Sequence, residues 1–414
     1  MPSRACETRQ SIDVLRAPGT IRERCHHLLA LAQADRLSHF VCDINQLEAT
    51  AAYVEDVIRE TYPELDIPFH SRWRHFNVGG IDRLGAWSQR LASHPADERA
   101  RCAFDLAITS VLLDAGAGAE WRYYEADTDT VYTRSEGLAI ASWHFYLQGG
   151  FSSYAGRPWQ ADAEGLQHVS VSALTEAFQV SPANPLAGCD GRVTLMQKLG
   201  EAVAQQPHYF GQTAPRLGHL YDYFCTRAEH GILPAATILT AVLDSLAPIW
   251  PNRLTIAGVN MGDVWPHPQA GGEGQSAGLV PLHKLSQWLT YSLIEPLQEA
   301  GVQVVDVDDL TGLAEYRNGG LFLDRGVLHC RHRDMQRRVH RPDAEFIVEW
   351  RALTVALLDL VAERLRTRFG VSPEAMPLAK ILEGGTWRAG RRIAAEQRPD
   401  GAPPLRIMSD GTVF

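Results

Sequence analysis

Three carboxylates, an arginine and a closing Gly-Gly pair crowd into thirteen positions, Asp308-Asp309-Leu310-Thr311-Gly312-Leu313-Ala314-Glu315-Tyr316-Arg317-Asn318-Gly319-Gly320, directly after the apolar alternation at 302–307. A loop leaving a strand is where a rigid scaffold commonly presents acid–base groups. The plainer arrangement makes Asp308 or Asp309 a helix N-cap and Glu315/Arg317 a surface pair, and the segment by itself favours it. A second cluster, Phe69-His70-Ser71-Arg72-Trp73-Arg74-His75-Phe76-Asn77-Val78-Gly79-Gly80-Ile81-Asp82-Arg83, holds three arginines, two histidines and three large aromatics. Aromatic faces for a planar or sugar group and guanidinium forks for a phosphate or carboxylate would suit a pocket wall. An amphipathic loop with its arginines in water has the same composition. Glu345 and Glu349, four apart, share a helix face and either fringe the core or line a cleft with Arg351. Lys284, Trp288 and Tyr291 share another face, and composition leaves their role open.

Other chemistries find no support. Gly271–Gly278 lacks the Lys-Ser/Thr ending of a phosphate loop and a preceding strand, and no GxSxG elbow occurs. The seven cysteines never come closer than 17 positions, so they fit free thiols better than disulfides or a thiolate zinc site. No HExxH occurs, and His329-Cys330-Arg331-His332 is flanked by arginines that would repel a cation, so no metal is expected.

These groups must be positioned by a largely helical scaffold. Leu47, Ala51, Val54 and Ile58 follow helical spacing after Asp43 and Asn45; Phe104, Ile108, Val111 and Leu112 do so ahead of Gly116. Leu282, Leu285, Leu289 and Leu293 precede Pro296, which predicts an end or kink at the preceding residue. Phe346, Trp350, Leu353, Leu357 and Leu360 form one stripe. Strands are expected at Val302–Val307, at Leu321-Phe322-Leu323 and around Leu405-Arg406-Ile407, with Asp410-Gly411 as a turn. The class is mainly α with a few short β-strands.

The 414 residues, 45% hydrophobic and 21% charged, form one globular unit, with two lobes allowed: an N-terminal helical lobe at 1–180 and a C-terminal lobe at 270–414 carrying the candidate carboxylates. Residues 160–280 yield little, although Met261-Gly262-Asp263-Val264-Trp265-Pro266-His267-Pro268 suits a pocket rim or a turn. A net charge of -10 argues against a nucleic-acid partner. No run approaches the roughly 18 apolar residues of a membrane helix, and no secretory leader is visible, so a cytoplasmic protein with no membrane partner is expected. The oligomeric state is left open.

Several segments carry a resemblance. FHSRWRHF with the following GG and DR at 69–83, SVLLDAGAG at 110–118, RSEGLAIAS at 134–142, QGGFSS at 148–153, YRNGG at 316–320, EWRALTVALLD at 349–359, LEGGTWRAGR at 382–391 and SDGTVF at 409–414 together resemble the uracil-catabolism family of fungi and bacteria. The likeness runs from about residue 10 to the end and implies a place in a ring-opening route. There a uracil nucleotide is opened and its nitrogen leaves as urea, with a ribosylurea, 5'-phosphorylated or not, in between.

A second, shorter likeness covers about 75 residues. Lys284 on a helix, LTGLAEYR at 310–317 and EFIVEWRA at 345–352 look like the queuosine-nucleotide glycosidase (queuine salvage) family, whose fold is all-α and similar to helical DNA glycosylases. The departures are Glu315 where that family has Asp before Tyr-Arg, and Asn318-Gly319-Gly320 where it has ValProGln.

Together the resemblances imply an N-glycoside hydrolase releasing urea from ribosylurea or its 5'-phosphate. Cleavage passes through an oxocarbenium-like state that a carboxylate stabilises while a neighbour activates water. Glu315 is the first candidate, with Glu349 and Asp309 as further carboxylates. His75, Asp82 or Tyr316 would donate a proton to the leaving urea. Lys284, Arg317 and Arg351 would hold a phosphate, joined on composition by Arg72 and Arg74, with Trp73 and Asn77 completing the set. No step needs a metal or an organic cofactor, and the expected partner is a small ribosyl compound. Two alternatives stand: an amide hydrolase acting on a ring-opened pyrimidine nucleotide, and a non-catalytic sensor of uracil metabolites.

Overall fold

A computed structural model describes residues 4–251 and 253–408. It is 57% helical with 10% strand, the strands lying in small isolated sheets. Among the described residues no helix is long and apolar enough to cross a membrane. The chain divides into two compact units, each assembled from stretches far apart in sequence.

The first unit comprises 1–70, 253–287 and 306–408. Its longest element is the helix Glu345–Phe369, whose Phe346, Trp350, Leu353 and Leu357 are buried as the stripe predicts, and Gly370 ends it at φ 67°. The helices Pro18–Gln33, Gln46–Thr61 and Tyr316–Asp324 pack on it, and Trp387–Gln397 packs on Tyr316–Asp324. That last approach is close: a Cβ at Gly390 would lie 2.1 Å from the carbonyl oxygen of Arg317. A π-helical turn, Leu382–Thr386, leads into Trp387–Gln397. Phe40–Cys42 pairs antiparallel with Leu328–Cys330, and Val264–Pro266 with Leu279–Pro281. The strand at Arg406–Ile407 pairs with Val339–His340, while the Asp410-Gly411 turn and the SDGTVF motif lie outside the described residues.

The second unit, 71–252 with 288–305 and 409–414, is built on the helices Ala96–Leu112, Arg134–Leu147, Cys189–Gln205 and Ala235–Ser245. Its Ile232–Pro234 strand runs parallel to Gln303–Val305, the core of the alternation read at 302–307.

Two local expectations are corrected. Leu321-Phe322-Leu323 lies inside the helix Tyr316–Asp324; three alternating residues are too few to outweigh the helix start that Glu315 provides. Pro296 does not stop its helix, which runs from Lys284 to Glu299. A proline there cannot donate to the carbonyl four residues back, that of Ser292, and its ring crowds it. The indole N–H of Trp73 fills the gap, donating to that carbonyl at 2.7 Å.

Candidate active site

Glu315 is the N-cap of Tyr316–Asp324, in extended backbone (φ −116°, ψ 164°), and its carboxylate accepts the backbone N–H groups of Arg317 and Asn318. Glutamate is an unusual cap, since shorter side chains reach the first turn with less ordering. Gly319 follows because Trp350 occupies the space: a Cβ there would sit 2.5 Å from the indole, whose N–H donates to the Gly319 carbonyl at 3.2 Å. The plainer surface arrangement is therefore overturned, for Glu315 is 6% and Arg317 4% exposed. Burial pushes the Glu315 carboxyl above its ordinary range, against the two amide bonds and the charges of Lys284 and Arg317.

Asp263 organises the surroundings. Its carboxylate receives both terminal nitrogens of Arg351 at 2.7 and 2.8 Å, the indole N–H of Trp265 at 2.5 Å, and the backbone N–H of Lys284 at 2.9 Å. Burial alone would raise this acid, but the Arg351 charge and these donors hold it far below the carboxylate range. Arg351 also donates through Nε to the carbonyl of Ala314 at 3.1 Å, one residue before Glu315. One buried ion pair thus ties the start of the Lys284 helix to the chain entering Glu315. Arg317 reaches the carbonyl of Gly401 at 2.9 Å, and its guanidinium lies 5.3 Å from the Tyr316 ring. Sequence inspection missed Asp263. Its only signal is indirect: an arginine beside a buried apolar stripe requires an acid somewhere.

The preceding loop is pinned by Arg22, which donates to the carbonyls of Asp308, Asp309 and Leu310 and to the carboxylate of Asp359. Asp308 accepts from Arg366 and from the backbone of Leu378, while the Asp309 side chain lies exposed on the turn Val307–Asp309. Glu349 is fully buried, with one oxygen taking the backbone N–H groups of His39 and Phe40 at 3.1 and 2.8 Å and the other 3.4 Å from His267 Nε2. His267 Nδ1 accepts from the Gln269 amide, so Nε2 carries the proton that faces Glu349. His39, Glu345 and Glu349 offer ligand atoms within 4.8 Å of one another, the arrangement among the described residues that could take a cation. Glu349 already accepts three hydrogen bonds there, which competes with ligation.

The remaining candidates fall in the second unit. Arg72 is fully buried and donates to Asp114, Ser110 and Ser135, with His75 Nδ1 3.3 Å from its Nη1. Arg74 is paired with Glu295. Asp82 caps Arg83–Leu91 by accepting the Gly85 N–H, and Asn77 bridges Asp82 and the Leu84 N–H. Lys284, Glu315, Tyr316, Arg317, Arg351 and Glu349 belong to the first unit and residues 72–82 to the second.

The fold and site together define a mainly helical protein that withdraws a carboxylate from water and surrounds it with fixed cationic partners. The chain belongs to the family described as "Protein of unknown function (DUF1688)", whose model matches residues 14–414. It is similar to "Protein urg3" of Schizosaccharomyces pombe, 38% identical over 404 residues that cover 95% of this chain and 96% of that protein. It is also similar to "Uracil catabolism protein 4" of Lachancea kluyveri, 35% identical over 410 residues, 91% of this chain and 92% of that one.

Proposed function

We propose that this protein acts in uracil catabolism, in the cytoplasm, as an N-glycoside hydrolase that splits ribosylurea or ribosylurea 5'-phosphate into urea and ribose or ribose 5-phosphate. The printed name of the Lachancea relative supports the pathway. The observation that carries the reaction type is the buried Glu315, capped by two N–H groups and set near the charge of Lys284. A carboxylate withdrawn from water stabilises a developing oxocarbenium ion far better than a solvated one, because few water dipoles screen the attraction. Two backbone donors fix its orientation before substrate arrives, so little reorganisation accompanies bond breaking. Lys284 and Arg317 add positive charge suited to a 5'-phosphate. Tyr316, beside Glu315 in sequence, is the nearest candidate donor to the leaving urea.

The test is release of urea and ribose 5-phosphate from synthetic ribosylurea 5'-phosphate by purified protein in EDTA, with the unphosphorylated compound alongside. Equal amounts of both products support the proposal. Ammonia without sugar phosphate would point to amide hydrolysis, and tight binding without product to a sensor.

A further inference from the structure

The second unit contains a cavity of about 580 Å³, walled by Trp73 and Trp87 and rimmed by Arg74, Arg99, Glu295 and Glu299. That volume falls within the roughly 300–1,000 Å³ of small-molecule sites. Its floor is small and apolar, from Ala100 and Ala103, both buried on the helix Ala96–Leu112. The two arginines and two glutamates cancel in charge, so the lining selects neither an anion nor a cation. Hydrogen-bonding capacity is left over instead. The Trp73 indole N–H is committed to Ser292, but the indole N–H of Trp87, a residue only 6% exposed, and the Nε–H of Arg74 are buried with no acceptor among the described residues. Buried donors without acceptors are rare in folded proteins, and two on residues lining one cavity call for an acceptor supplied from outside the chain. The carboxylates of Glu295 and Glu299 supply the complementary need for N–H donors on the ligand.

We propose that this cavity binds a small, flat, neutral molecule carrying carbonyl acceptors next to N–H donors, the hydrogen-bonding pattern of a cyclic ureide, through residues other than those around Glu315. Tryptophan and alanine surfaces suit a planar ring, and neutral lining charge disfavours phosphorylated forms.

Calorimetric titration of the full chain with uracil, 1,3-dimethyluracil and uridine 5'-monophosphate tests this. Uracil is expected to bind one per chain, with the other two at least about tenfold weaker. Trp87→Phe, which keeps the ring and removes the donor, should weaken uracil about tenfold. Ala92→Trp, from an exposed position lining the cavity, should abolish binding while circular dichroism stays unchanged. Absence of uracil binding to the parent, or binding that both variants leave intact, overturns the proposal. Binding lost in Glu315→Gln but kept in Ala92→Trp also overturns it, by moving the ligand to Glu315. Because the readout is uracil affinity, failure here leaves the hydrolase assay unaffected, and failure there leaves this one.

Discussion

Arg351 grips Asp263 through two N–H···O contacts of 2.7 and 2.8 Å, and both side chains are withdrawn from solvent. Removing one partner of such a pair leaves the other charge buried and uncompensated, at about 3–5 kcal/mol. Asp263→Ala should therefore lower the urea-denaturation stability by about that amount. It should also disturb catalysis, because the Lys284 amide and the Ala314 carbonyl lose their common anchor. An unchanged denaturation midpoint would show that the pair holds nothing in place.

Glu315→Gln should reduce turnover at least about a hundredfold, since the charge that stabilises the cation is gone while the side chain keeps its size. Circular dichroism should match the parent. Turnover equal to the parent removes Glu315 from the mechanism.

The raised acidity constant of Glu315 gives two pH signatures. If the carboxylate must be ionised, kcat/KM falls on the acid side with an apparent pKa above that of an ordinary glutamate. Stability carries the same proton. The folded state binds it more tightly than the unfolded chain, so this contribution is complete below the unfolded value and is lost as pH rises through the folded one. The difference in melting temperature, parent minus Glu315→Gln, should accordingly be most positive in acid and shrink with rising pH. A difference independent of pH contradicts the burial argument.

Trp73 and Pro296 make a coupled pair. Trp73→Phe leaves the Ser292 carbonyl without its donor and should cost about 1–3 kcal/mol. In a Pro296→Ala background the helix can supply its own N–H, and the cost of Trp73→Phe should fall. A double-mutant cycle measures this directly, and a coupling energy of zero would dissociate the two residues.

Gly390→Ala should be strongly destabilising because the new methyl meets the Arg317 carbonyl at 2.1 Å, backbone against backbone. Gly19→Ala, on the exposed side of Pro18–Gln33 with nothing within 4 Å, should stabilise by up to about 1 kcal/mol. Thermal melts of the two variants, moving in opposite directions, check the packing of Trp387–Gln397.

The helices were legible wherever a stripe of apolar residues faced a core: Leu47 to Ile58, Phe104 to Leu112 and Phe346 to Leu357 are buried on the helices their spacing predicts. Pro296 misled because the compensating donor, Trp73, comes from more than 200 positions away. Leu321-Phe322-Leu323 misled because the deciding group was the Glu315 cap, a residue type seldom found in that role. At the site, motif order brought Lys284, Glu315 and Arg351 forward, but not the acid that joins two of them. Asp263 has no periodicity, no charged neighbour in sequence and no motif, so its role depends wholly on tertiary distance. The cluster at 69–83 was legible as a charged-aromatic group, whereas the internal ion pairs that occupy Arg72 and Arg74 belong to the three-dimensional arrangement.

The π turn at Leu382–Thr386 makes length, as well as residue type, a constraint on this chain. A π turn holds one residue more than the α-helical path would. Excising one residue from Leu382–Thr386 would restore a regular helix and rotate Trp387–Gln397 by about 100°. Ala389 or Arg391, not Gly390, would then be presented to the Arg317 carbonyl. A single-codon deletion at this turn should therefore be far less tolerated than conservative substitutions in the same five positions.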